Sequence, residues 1–305
     1  MGSVISLPDD VLLDRVRALA PDAEILTWDL RGPAQRAAID LVVVPYMSPP
    51  SLLRALDEVR VGLVQSQSIG YDGVAEALPP GLVFANAAGV HEAGTAELAV
   101  GLMLASQRGI PGFVRAQDEE RWAHERFESL ADRRVLIVGY GGVGAAIEAR
   151  LAPFETEVVR VGTRARTSPQ GPVHATEALP SLLPEADIVV LTVPLSDATR
   201  HLADAAFLSR MRDGALLVNV ARGPVVDTEA LLAELRSGRL RAAVDVTDPE
   251  PLPAGHPLWH APGLLISPHV GGDSTAMTPR MARLVGQQIE RLGRGEDPLN
   301  VVLRS

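Results

Sequence analysis

The chain has 305 residues, 47% of them apolar and 22% charged, with a net charge of −10 and no cysteine. That length points to two domains rather than one small core. The missing cysteine excludes disulfides, thiolate metal sites and a cysteine nucleophile, and the acidic balance argues against a general affinity for nucleic acid or anionic membrane.

No run reaches the ~18 to 20 uncharged apolar residues of a membrane span. No basic stretch precedes an apolar one at the start, so no signal peptide is expected and a cytoplasmic protein is. "MGSVIS" matches the loose myristoylation pattern, although Val4 to Leu7 also reads as a first buried strand. Asp9 or Asp10 then caps a helix carrying Val11, Leu12, Val16 and Leu19 on one face. Further strands are expected at 24–28, 41–45, 61–65 and 82–86. Runs apolar on both faces and separated by helices predict a parallel sheet covered on both sides.

From Thr95 to Arg108 the pattern is a long, nearly all-apolar helix, hence a buried one. The next segment, "DEERWAHERFESLADRR" (118–134), is polar, with Trp122 and Phe127 embedded in it. It reads as an exposed connector or an arm reaching a partner. A second series begins at Arg134, with strands at 135–139, 157–162, 187–193, 215–220, 242–246 and 264–268. Helices lie between most of them, notably Thr228 to Ser237. A final helix, about Thr278 to Leu292, would pack back on the first domain. The division expected is 1–94 with 275–305, and 95–274.

"VLIVGYGGVG" puts Gly139, Gly141 and Gly144 between an apolar strand and a helix, the setting in which GxGxxG binds a dinucleotide. Gly139 permits the tight turn, Gly141 lets backbone approach a pyrophosphate, and Gly144 lets helix and strand pack closely. The following strand usually ends on an acid that binds the adenosine ribose. Here it ends in Thr163, Arg164 and Arg166. A carboxylate would repel a 2′-phosphate, whereas these groups would attract one. NADP(H) is therefore the expected cofactor, with NAD(H) possible. The plainer alternative makes both arginines solvated loop charges.

Three later motifs each follow an apolar strand, where open α/β sheets bind ligands. "NVARGPVVD" carries Arg222, "AVDVTDPEPLP" carries Asp245 and Glu250, and "LISPHVGG" carries His269. Reduction of a 2-keto acid needs a cation for the carboxylate, a polariser for the carbonyl and a proton donor. Arg222 serves the first two and His269 the third. Glu250 would orient the imidazole and favour its protonated form. Taken singly, each has a structural alternative: a salt bridge, a turn residue, a strand-end cap.

Together with "GYGGVG", "VPLSDATRHL" and "NVARGPVVDTEALLAELRSG", these motifs resemble the D-isomer-specific 2-hydroxyacid dehydrogenase family, especially its glyoxylate/hydroxypyruvate reductase branch. The resemblance spans nearly the whole chain. It implies two doubly wound parallel-sheet α/β domains, a flavodoxin-like substrate domain and a Rossmann nucleotide-binding domain, with a cleft between them. It implies a homodimer formed through the nucleotide domains, with Trp122 a candidate to reach the partner. It places Gly142, Val143, Thr192, Pro194 and Ala221 at the cofactor, Thr95 near its phosphates, and Asp245 on the nicotinamide carboxamide. In "SQSIGYDGV" (66–74), backbone N–H groups around Ile69 and Gly70 would bind the substrate carboxylate, with Arg222 and His269 opposite the reacting carbonyl. Tyr46 and Met47 would line the pocket or belong to the core.

Two departures narrow the choice. Ile69 stands where phosphite dehydrogenases carry a lysine, and Glu250 where formate dehydrogenases carry a glutamine. A reductase for a small 2-keto acid remains. The rivals are an NAD-dependent dehydrogenase for a bulkier substrate and a dinucleotide-sensing, corepressor-like interaction protein on the same fold. No metal site is expected.

Overall fold

Val4–Leu7 is a strand because its four residues pack inward between flanking strands. From this start the computed structural model describes residues 3–305; Gly2, the acceptor of the myristoylation pattern, lies outside them. The chain divides into two units, Met1–Glu92 with Gly272–Ser305, and Ala93–Gly271.

The first unit holds β1 (Val4–Leu7), β2 (Glu24–Thr27), β3 (Ala38–Val43), β4 (Arg60–Gln65), β5 (Val83–Ala85) and β14 (Val301–Arg304). Their order is β14-β5-β4-β3-β1-β2. All pairs are parallel except β14 with β5. Along β3, Leu41 and Val43 enter one apolar cluster while Val42, between them, enters another. Side chains alternate across a strand, so burial of both sets means that both faces are covered. One cover is α1 (Asp10–Arg17) with α8 (Met277–Gly293). Asp9 caps α1 by accepting the Leu12 N–H at 2.9 Å. The buried face of α1 is Leu12, Leu13 and Val16. Val11 and Leu19, expected on that face, are exposed: Leu12, Leu13 and Val16 form the buried stripe, and Leu19 lies beyond the helix, which ends at Arg17. The edge strand β14 carries no sequence signal beyond a short apolar run.

The second unit holds β6 (Arg134–Val138), β7 (Glu157–Gly162), β8 (Arg166–Ser168), β9 (Gly171–Ala175), β10 (Ile188–Leu191), β11 (Leu216–Asn219), β12 (Arg241–Val244) and β13 (Leu264–Ile266). The order is β13-β12-β11-β10-β6-β7-β9-β8, parallel apart from the β8–β9 hairpin. Every residue of β10 and β11 is buried, which accounts for the unbroken apolar runs. The helices are α2 (Glu92–Gln107), α3 (Ile110–Asp118), α4 (Gly142–Leu151), α5 (Leu179–Leu182), α6 (Ala205–Arg210) and α7 (Thr228–Arg236). Ala96, Ala99 and Met103 of α2 pack with Ile137, Val190 and Val218. Strand order reverses between β6 and β10, the switch point at which doubly wound sheets bind dinucleotides. After α3, the connector forms no helix or strand from 119 to 133, and Trp122 is 94% exposed. No helix among the described residues is long and apolar enough to cross a membrane.

Candidate active site and cofactor cradle

The glycine-rich turn sits at the switch point. Gly139 has φ +104°, and a Cβ there would lie 2.6 Å from the Val193 nitrogen, so only glycine fits both the conformation and the space. A Cβ on Gly144 would come 2.8 Å from the Gly139 carbonyl oxygen, which fixes how closely α4 approaches β6. The Thr192 hydroxyl donates to that same oxygen at 2.6 Å and so ties the end of β10 to the turn. Pro194 follows on the surface, its carbonyl accepting from the Thr199 hydroxyl at 2.7 Å. Ala221, beyond β11, is buried and donates its N–H to Asn219 Oδ1 at 3.0 Å.

Helix α4, like α3, α5 and α8, starts without a side-chain cap. Helices α1, α6 and α7 are capped by Asp9, Asp204 and Asp227. At α4 the cap is Gly141, with no side chain to accept from the first turn. Gly142 is exposed, Val143 half-buried, and a Cβ on Gly141 would meet open space. A helix start without a capping oxygen, reached through glycine, suits a pyrophosphate. The residues present therefore fit a dinucleotide.

Beyond β7, Thr163, Arg164 and Arg166 are exposed. Arg166 does not extend outward like a loop charge. It begins β8, folds back over Gly162 and donates to the Tyr140 carbonyl inside the glycine turn. Tyr140 in turn donates its hydroxyl to Glu148 of α4, and Arg160 of β7 grips Glu148 through Nε at 2.8 Å and through Nη2. Burial alone would raise the Glu148 carboxyl, but hydrogen bonds from Arg160 and Tyr140 outweigh it and leave it lowered. Burial, followed by the bond to Glu148, raises the Tyr140 phenol. The β8–β9 hairpin, which the sequence reading leaves out, is thus fastened to the turn.

Arg222, Glu250 and His269 come from neighbouring strand ends. Arg222 follows β11, and its Nη1 donates to the Ala221 carbonyl at 2.7 Å. A Cβ on the next residue, Gly223, would lie 1.8 Å from the Thr247 carbonyl oxygen. The loops carrying Arg222 and Glu250 therefore touch backbone to backbone. Glu250 Oε1 lies 2.5 Å from His269 Nδ1. Burial would raise the Glu250 carboxyl, but the His269 hydrogen bond and charge, the Thr247 N–H and the Arg222 charge together hold it below its ordinary value.

His269 has φ +54°, a left-handed conformation that costs a non-glycine residue about 1–3 kcal/mol. Asp245 holds it there. The Asp245 carbonyl accepts the His269 N–H at 2.7 Å. Its carboxylate, only 3% exposed, accepts from Ser267 Oγ, Val270 N–H and Gly271 N–H at 2.6, 3.0 and 2.8 Å. Thr95, buried in α2, sits where a Cβ on Gly271 would meet its methyl group at 3.4 Å. The sequence motif named Asp245 without showing this second use of its carboxylate. Among the described residues no group of three or more His, Asp or Glu could hold a metal.

In the first unit the loop after β4 has its carbonyls drawn inward. The Ser68 carbonyl accepts the Ala87 N–H at 2.9 Å, and the Ile69 carbonyl accepts from Asn86 Nδ2 at 2.8 Å. The N–H groups of Ile69 and Gly70 meet no acceptor among the described residues. Tyr46 stacks on His91, with centroids 5.6 Å apart and planes 17° apart. Met47 is exposed at φ +54°.

Residues 100–271 match the model of the D-isomer specific 2-hydroxyacid dehydrogenase NAD binding domain. A glyoxylate reductase from Korarchaeum cryptofilum is 33% identical over 298 residues, 92% of this chain and 89% of that protein. The chain belongs to the D-isomer-specific 2-hydroxyacid dehydrogenase family. As a D-2-hydroxyacid dehydrogenase it is an oxidoreductase that uses a nicotinamide dinucleotide. The human glyoxylate reductase/hydroxypyruvate reductase is 30% identical to this dehydrogenase over 297 residues, 92% of this chain and 90% of that one. A D-isomer specific 2-hydroxyacid dehydrogenase from Xanthobacter autotrophicus Py2, solved with NADPH and MES, is 30% identical. The match covers 99% of this chain and 98% of that one, with a TM-score of 0.83.

Proposed function

We propose that this dehydrogenase reduces a small 2-keto acid, of the glyoxylate or hydroxypyruvate type, to the D-2-hydroxy acid with NADPH. The observation that carries the reading is the 2.5 Å approach of His269 Nδ1 to Glu250 Oε1, on a carboxylate that also feels the Arg222 charge. Glu250 fixes the ring through Nδ1, so Nε2 is the nitrogen that handles the proton. Arg222 would bind the substrate carboxylate and polarise the carbonyl, and the N–H groups of Ile69 and Gly70 are the first unit's candidates to receive the carboxylate. When bound, the nicotinamide supplies hydride to the carbonyl carbon. His269 donates the proton that turns the carbonyl oxygen into a hydroxyl, and in oxidation it takes that proton back.

Gly139, Gly141, Gly142, Val143 and Gly144 would hold the pyrophosphate, with Thr192, Pro194, Ala221 and Thr95 around the cofactor. The carboxylate of Asp245 already accepts three bonds, so any hold on the carboxamide would use the lone pairs that remain. The phosphorylated cofactor is supported by Arg164 beyond β7 and by the NADPH bound in the Xanthobacter relative. The glyoxylate reductase relatives support the substrate class. A homodimer through the second unit fits the exposed Ile110, Phe113, Val114 and Trp122, and a cytoplasmic setting fits a chain without cysteine. The test is NADPH oxidation across glyoxylate, hydroxypyruvate, pyruvate and bulkier 2-keto acids. Turnover is expected with the smallest members. Tight NADPH binding with no turnover on any of them would overturn the reading.

A further inference from the structure

His91 stands outside the chemistry above. It is only 5% exposed. Its Nε2 lies 2.5 Å from the Gln67 carbonyl oxygen and its Nδ1 3.0 Å from the Gly272 carbonyl oxygen. Both partners can only accept. A neutral imidazole has one N–H, so one of its nitrogens would turn a lone pair toward a carbonyl oxygen. Two N–H donors satisfy both contacts.

The surroundings fit that state. The Tyr46 ring lies parallel to the imidazole at 5.6 Å, offering a π face to a cation. A Cβ on Gly272 would fall 2.8 Å from His91 Nδ1 and 2.9 Å from the Tyr46 hydroxyl. Glycine at 272 therefore preserves the room this arrangement occupies. The neighbouring acid, Glu92, turns Oε1 to the Gly89 N–H at 2.7 Å.

Gln67 begins the turn that leads to Ile69 and Gly70. Carbonyls 67, 68 and 69 are each held from behind, by His91, Ala87 and Asn86. With three successive carbonyls held back, successive N–H groups face the other way, as in a backbone anion nest. We propose that His91 is a positioning residue. As a buried, doubly protonated imidazole it pins the Gln67 carbonyl and adds a fixed positive charge behind the N–H groups that receive the substrate carboxylate. This rests on the keto-acid reading above.

The ring itself is the first readout. In 15N spectra of the whole protein, a histidine signal distinct from that of His269 should show both nitrogens protonated at the assay pH. That signal should be missing from His91→Gln, or displaced in Gly272→Ala should the first variant not fold. Kinetics give the second readout. Either variant should raise KM for the keto acid by about tenfold or more while kcat stays within about threefold, the split expected of lost ground-state binding. The NADPH Kd should stay as in the wild type. A single-proton tautomer at His91, or an unchanged KM in the variants, overturns the proposal. If the wild type reduces no 2-keto acid, the functional reading fails by itself, and the 15N spectrum still decides the state of His91.

Discussion

Asp245 holds His269 through the backbone: its carbonyl accepts the His269 N–H at 2.7 Å, and its carboxylate takes the N–H groups of the next two residues. The general acid proposed here is therefore aimed by a residue whose side chain does not touch its ring. An asparagine offers one acceptor oxygen where the carboxylate uses two, and turns an NH2 toward an N–H donor. Asp245→Asn should lower kcat by about 10- to 100-fold and stability by about 1–3 kcal/mol. Urea unfolding and steady-state kinetics check both. If Asp245 acts chiefly by gripping the nicotinamide, the NADPH Kd will rise along with the fall in kcat.

Removal of the proposed proton donor gives a sharper result. His269→Ala should cut kcat for reduction by about 10²- to 10⁴-fold and leave NADPH binding intact, as followed by cofactor fluorescence. A variant that retains near-wild-type kcat would refute the role.

Glu250 sets a pH window. Its folded carboxyl is held low despite burial, chiefly by His269. A carboxylate depressed on folding contributes stability above its unfolded value, about 4.3, and loses that contribution as pH falls through the folded value. Wild type should therefore exceed Glu250→Gln in stability at neutral and mildly acidic pH. The margin should shrink below about pH 4. Denaturation of both proteins across that range measures it. A margin that grows as pH falls below about 4 would reverse the sign.

Cofactor choice separates the two arginines. Arg166 is committed to the Tyr140 carbonyl, whereas Arg164 is exposed beyond the strand. Arg164→Ala should weaken 2′,5′-ADP binding by about 10- to 100-fold, the worth of charge-assisted bonds to phosphate, and leave 5′-AMP binding unchanged. Arg166→Ala should weaken both ligands alike, because it frees the hairpin from the glycine turn. Calorimetry with the two nucleotides decides, and the opposite pattern would exchange the roles.

Backbone contact between the Arg222 and Glu250 loops leaves no space at Gly223. Gly223→Ala must push Thr247 away and should cost about 2 kcal/mol or more, with loss of activity exceeding loss of fold. Thermal unfolding alongside kcat tests this.

Much of this was legible beforehand because each motif follows an apolar strand. A buried parallel strand announces itself by composition, and the residue after it lies at the sheet's binding edge. The glycine turn and the trio Arg222, Glu250 and His269 could thus be named as a set. The β8–β9 hairpin could not, because "RTS" and "GPVHA" are too short and polar to show a period, and the anchor from Arg166 is a side chain reaching a distant carbonyl. Nor could Asp245 be seen as the support of His269, since its partners lie 22 to 26 residues on and are mostly main-chain N–H groups. His91 was silent for the same reason: carbonyl partners leave no mark on a sequence.

One consequence follows from the φ of +54° at His269. Glycine or asparagine would rest there more comfortably than histidine. Mutational drift toward stability therefore pulls residue 269 away from the imidazole, and only selection for turnover opposes it. His269→Gly should be inactive yet melt higher than His269→Ala, a small instance of function kept against thermodynamic preference.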